Sequence, residues 1–197
     1  METKEEVETG KVSDEQKLRI SALWDTLKRY DNYIGTVNFK SGLITTLNAA
    51  VFGGVVLKSD VLVLKDSLYR DALILNVVVI AFLSLLSIYW VIKSIWPNLK
   101  SASTGTNRDV LAPSLFFFGS VSSNFNAKSY AESFRKVTVE EMEKDLSVQV
   151  HEVAAITSLK FKTISTASLF TKLNVLALLS FGVIQLLQSV GYTLCRA

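Results

Sequence analysis

Residues 72–96, ALILNVVVIAFLSLLSIYWVIKSIW, constrain this chain more than any other stretch. They carry no charge until Lys93, and Pro97 follows them. A helix rises about 1.5 Å per residue, so roughly 20 apolar residues cross the ~30 Å hydrocarbon layer of a bilayer. This run is long enough to span with tilt. Tyr89, Trp90 and Trp96 gather at its C-terminal end, where aromatic rings sit at headgroup depth. The competing reading is a helix buried in a soluble domain; the length and the aromatic end favour the membrane.

Composition agrees with apolar spans joined to ordinary polar helices: 49% of the 197 residues are hydrophobic and 20% charged. A net charge of +3 is too small to imply nucleic-acid binding, and no nucleic-acid partner is expected. The single cysteine, Cys195, excludes an intrachain disulfide framework or a multi-cysteine metal site. The N-terminus, METKEEVETGKVSDEQ, has mixed charge and no apolar core, so it reads as a disordered start and not as a signal peptide.

Ser13-Asp14-Glu15-Gln16 is a capping box, opening a helix whose apolar seam is Ile20, Leu23, Leu27, Tyr30, Ile34 and Val37. No breaker separates that seam from a first apolar run, residues 42–57. Thr45, Thr46 and Asn48 make this the least apolar of the spans. Its small-xxx-small pairs, Ala49/Gly53 and Ala50/Gly54, let membrane helices approach closely. Residues 58–71 are a short charged connection, and NLKSASTGTNRD after Pro97 reads as a loop. The apolar patch LAPSLFFFGS follows, then a short helix at 127–137.

Thr138-Val139-Glu140-Glu141 is a second capping box. It opens a long helix with the seam Met142, Leu146, Gln149, Val153, Ile156, Lys160 and Ile164, which runs into a third apolar span, 168–191. If residues 1–41 and 97–167 are cytoplasmic, they hold fifteen of the 21 Lys/Arg, against four in 58–71 and 192–197. The positive-inside rule then places the N-terminus inside and the C-terminus outside. The expected fold is an all-α membrane protein with three transmembrane helices, two of them continuous with long cytoplasmic amphipathic helices. The expected divisions are a disordered 1–12, a cytoplasmic helix 13–41, two spans within 42–96 with a periplasmic loop at 58–71, a cytoplasmic sensing region 97–167, the third span 168–191, and a periplasmic tail 192–197.

No HExxH, GxxxxGK[ST] or GxSxG is present, and the single histidine, His151, has no partner ligands near it in sequence. No catalytic residue, metal or resident cofactor is expected, and the chain is read as no enzyme. The polar residues within the seams are more informative. An unpaired buried ammonium is costly, so Lys160 should pair with a carboxylate such as Asp31, snorkel to water, or meet a phosphate-bearing ligand with Lys40 and Gln149 nearby. Asn174, Gln185 and Gln188 share one stripe of the third span, and Asn76 and Ser87 one of the second. Such residues face other helices or a water path.

Several of these residues carry a family resemblance. Asn38-Phe39-Lys40-Ser41 followed by Asn48, the patch Leu115-Phe116-Phe117-Phe118-Gly119, the segment Lys128-Ser129-Tyr130, and Gln149 with Lys160 before the last span resemble the transmembrane effectors of bacterial anti-phage cyclic-pyrimidine (Pycsar) systems. The likeness covers about residues 30–190. Asn38 stands where the family has an acidic residue, and Pro113-Ser114 where Asn often precedes the Phe patch. The resemblance implies an inner-membrane effector, and three spans, too few to enclose a wide pore alone, lead to the expectation of a homo-oligomer. A neighbouring cyclase would make its activating cyclic mononucleotide, a cyclic pyrimidine, and the outcome would be membrane disruption and abortive infection. It also implies ligand contacts from Asn38, Lys40, Gln149 and Lys160. The rival expectation is a non-catalytic membrane anchor for a soluble partner, docked on Phe116, Phe117 and Phe118.

Overall fold

A computed structural model describes residues 13–63, 69–96 and 113–194. The expectations for residues 1–12, for NLKSASTGTNRD and for Cys195 lie outside them. Six helices occur in the order α1 (Asp14–Leu57), α2 (Ser59–Leu62), α3 (Arg70–Ile95), α4 (Phe118–Asn124), α5 (Ala127–Lys136) and α6 (Val139–Leu194). No strand occurs among the described residues. Three of these helices, α1, α3 and α6, are long and apolar enough to cross a membrane.

Both capping boxes close as their spacing requires. Ser13 N–H donates to Gln16 Oε1 at 3.2 Å, and Gln16 N–H returns to Ser13 Oγ at 3.2 Å. Thr138 N–H donates to Glu141 Oε2 at 2.8 Å, and Glu141 N–H to Thr138 Oγ1 at 3.2 Å. Each pair satisfies free N–H groups of a helix start, and with no breaker downstream the helices run for 44 and 56 residues. Two short elements are absent from the sequence reading. Ser59–Leu62 winds one turn inside the connection 58–71, and α4 begins within the Phe patch. Runs of four and seven residues are too short for a 3.6-residue period to register.

The chain forms two compact units. The first holds residues up to Tyr33 and Asn98–Thr157; the second holds Ile34–Pro97 and residues from Ser158 onward. In the second unit the inward positions recur every seven residues: Ser41, Asn48 and Val55 on α1; Leu73, Ile80, Ser87 and Ser94 on α3. On α6 they are Ala167, Asn174 and Gln188. That is the spacing of a coiled-coil seam, and serine at three inward positions of α3 (Ser84, Ser87, Ser94) lets the backbones approach. Val37, Val91, Ile164 and Ala167 form an apolar cluster, with Ile44 and Trp90 packed on it. The order of these contacts along each helix makes α1 and α6 parallel and α3 antiparallel to both.

Candidate functional site

In the first unit the Phe patch is folded onto α6 by polar groups. Asp145 Oδ2 accepts the Leu115 N–H at 2.9 Å, and Gln149 Nε2 donates to Ser114 Oγ at 3.1 Å and to Asp145 Oδ1 at 3.4 Å. The Ser114 hydroxyl also accepts the N–H groups of Phe116 and Phe117 at 3.1 and 3.0 Å, and Tyr130 OH donates to Leu115 O at 3.1 Å. Phe116 lies edge-on to Trp24 at 5.7 Å and to Phe134 at 6.3 Å between ring centroids. Phe117 stacks obliquely on Phe118 at 5.0 Å. Phe118 remains 66% exposed, so of the three rings it is the one presented to solvent. Gln149 thus lies buried as the anchor of this loop. Ser114 was noted in the sequence only as a departure from the family pattern, and Asp145 went unremarked because it does not fall on the apolar seam.

In the second unit the Lys160 ammonium meets a backbone carbonyl. It donates to Ser94 O at 2.7 Å, in the last turn of α3, while Ser94 Oγ donates to Lys160 O at 3.4 Å. A cation there satisfies one of the orphan carbonyls at a helix C-terminus and complements its negative end. Burial pushes the Lys160 ammonium below its ordinary pKa. An ammonium has three donors, and this contact uses one. Asn38 and Lys40 are exposed on α1.

The polar residues of the spans converge on one another. Asn48 Nδ2 lies 2.9 Å from Thr171 Oγ1 and 3.3 Å from Ser87 Oγ; Asn174 Nδ2 donates to Asn48 Oδ1 at 3.2 Å and to Ser84 Oγ at 2.7 Å. Ser87 and Thr171 hydroxyls are 2.8 Å apart, and Ser87 Oγ reaches Ala167 O at 3.0 Å. A network from all three spanning helices therefore occupies the bundle interior, the interhelical alternative of the two left open by the sequence. Farther along, Asn76 Nδ2 donates to Ser180 Oγ at 2.7 Å and Gln185 Nε2 to Leu62 O at 2.9 Å. Gln188 is different: it is buried, and both atoms of its amide lack a hydrogen-bond partner. Gly53 and Gly54 do not sit at a close crossing within the chain, since a Cβ on either would meet no atom within 4 Å. Among the described residues no group of three His, Cys, Asp or Glu could hold a metal ion.

The family model described as the Pycsar effector protein domain matches residues 22–187, which includes the first two spans, the Phe patch and most of the third span. The chain belongs to the Pycsar effector family. The Pycsar effector protein EcPycTM of Escherichia coli is 26% identical over 164 residues, covering 78% of this chain and 83% of that relative. No solved structure matches. Membership makes this Pycsar effector a membrane protein of anti-phage defence, and it gives the α1, α3 and α6 spans their setting.

Proposed function

We propose that this Pycsar effector is a non-catalytic, homo-oligomeric protein of the bacterial inner membrane, activated by a cyclic mononucleotide from a partner cyclase. Activation breaches the membrane and ends the infection by stopping the cell. The observation that carries this reading is the continuity of α1 and α6. Each is one unbroken helix from a polar capping box into an apolar span. A ligand that prefers one arrangement of such helices shifts the spans by its difference in affinity for the two arrangements. Three spans are too few to enclose a wide pore, hence the homo-oligomer.

Lys160 is the proposed phosphate contact, with Lys40 and Asn38 of α1 as further donors. Its two remaining N–H groups can take an anion, and charge-assisted bonds to phosphate are roughly twice as strong as neutral ones. Dye-loaded proteoliposomes holding the purified chain test the reading. Cyclic CMP or cyclic UMP should release dye, and linear nucleotides should not. Binding of a cyclic nucleotide without any release would refute membrane disruption; the absence of binding by every cyclic mononucleotide would refute activation by this class.

A further inference from the structure

At the end of the bundle where α1 gives way to α2, the second unit contains a cleft of about 300 Å³. Its walls come from four helices: Gly54 and Ala50 of α1, Leu62 of α2, Ile80 of α3, and Leu178 and Phe181 of α6. Every side chain lining it is apolar except Lys58, which directly follows the last residue of α1. Among the described residues Lys58 makes no ion pair, and its side chain lines the otherwise apolar slot. The slot is built rather than left over. Gln185 Nε2 holds the Leu62 carbonyl at 2.9 Å, which fixes α2 as a wall, and the absence of a side chain at Gly54 keeps the space open.

We propose that this cleft seats one acyl chain of an anionic phospholipid, whose headgroup phosphate pairs with Lys58. Water in the slot would find no polar partners along its walls, whereas hydrocarbon matches them. A lysine at the end of a membrane helix extends its ammonium to headgroup depth, where it meets phosphate. Apolar walls with one cation at the mouth are complementary to a lipid of negative charge. A zwitterionic lipid offers the chain without the net charge, and free phosphate the charge without the chain.

The full chain in detergent, supplemented with dioleoylphosphatidylglycerol or dioleoylphosphatidylcholine, tests this by native mass spectrometry and thermal unfolding. Wild type should retain phosphatidylglycerol preferentially and unfold at higher temperature with it than with phosphatidylcholine. Lys58→Gln should weaken the phosphatidylglycerol preference about fivefold, as expected for one cation at an anionic surface, and Lys58→Arg should keep it. Gly54→Leu fills the slot with a good helix former and should lose retention of both lipids. Gly53→Leu, one position round the helix and outside the cleft lining, should behave as wild type in this assay. Equal retention of the two lipids by wild type would overturn the proposal, as would undiminished retention by Gly54→Leu. A Gly54→Leu variant with altered oligomer mass but unchanged lipid count would assign the cleft to a second copy of the chain instead.

Discussion

Two buried amides, Asn48 and Gln188, show how much partners decide at the scale of a residue. Asn48 exchanges hydrogen bonds with Ser87, Thr171 and Asn174, whereas neither amide atom of Gln188 has a partner. An interhelical hydrogen bond in a membrane is worth ~0.6 kcal/mol on average and up to ~2 kcal/mol. Asn48→Leu breaks several at once and leaves Asn174 only its bond to Ser84, so it should lower unfolding stability in detergent by about 1–2 kcal/mol. Gln188→Leu removes an amide that gains nothing where it sits, so it should be neutral or stabilising. A larger loss for Gln188→Leu than for Asn48→Leu, in the same denaturation series, would contradict the network as drawn. Lys160 makes the same point for a charge. Lys160→Met keeps the stem but loses the cap on Ser94 O, so the last turn of α3 should exchange amide hydrogens faster. The variant should also lose measurable cyclic-nucleotide binding in a calorimetric titration; unchanged affinity would remove Lys160 from the site.

At the scale of elements, the long helices could be read from the sequence because their signals are local. A capping box lies within four residues, and an apolar run announces itself by length. Partners are not local. The seam gave the face on which Lys160 lies and a polar stripe the face of Asn174, but periodicity carries no information about what stands opposite. For Lys160 the answer is a backbone carbonyl, which no side-chain pattern encodes. Gln149 likewise fell on the seam as expected, while its role as anchor of the Phe patch depends on Ser114, 35 residues away. The small-xxx-small pairs identified the surface of α1 that lacks side-chain bulk, and the fold leaves both glycines facing open space. The capping box of α6 also titrates. The Thr138 N–H holds the Glu141 carboxyl below its ordinary 4.5, with the Thr138 hydroxyl adding to the effect. Because the folded pKa is depressed, the stabilisation of this turn is complete above pH 4.5 and is lost as pH falls through the lowered value. Protection of the first-turn amides of α6, taken relative to their intrinsic exchange rates, should therefore fall on acidification below pH 4.5. Glu141→Gln should exchange faster than wild type at neutral pH and respond less to acid.

At the scale of the bundle, α3 runs antiparallel to the parallel spans of α1 and α6 in the second unit. Val37, Val91 and Ile164 meet at one end of the bundle, and Gln185 meets Leu62 at the other. Within the second unit the start of the α1 span, the end of α3 and the start of the α6 span therefore share a side, with Gln185 of α6 at the opposite end. A chain in which the first apolar run failed to cross could not place Asn48 level with both Ser87 and Thr171, as the hydrogen bonds require. Charge then selects the side. Residues 1–41 and 97–167 hold fifteen of the 21 Lys/Arg, so the positive-inside rule predicts that these segments are cytoplasmic. A reporter active only in the periplasm, fused after Ala197, should be on, and the same reporter inserted near Gly105 should be off. A cytoplasmic reporter should give the reverse pattern at both positions. If the two fusions report the same side, one of the three helices does not cross and the parallel pairing of α1 with α6 in the bilayer fails. If they report opposite sides with the signs exchanged, the bundle stands but the basic segments, and Lys160 with them, face away from any nucleotide made inside the cell.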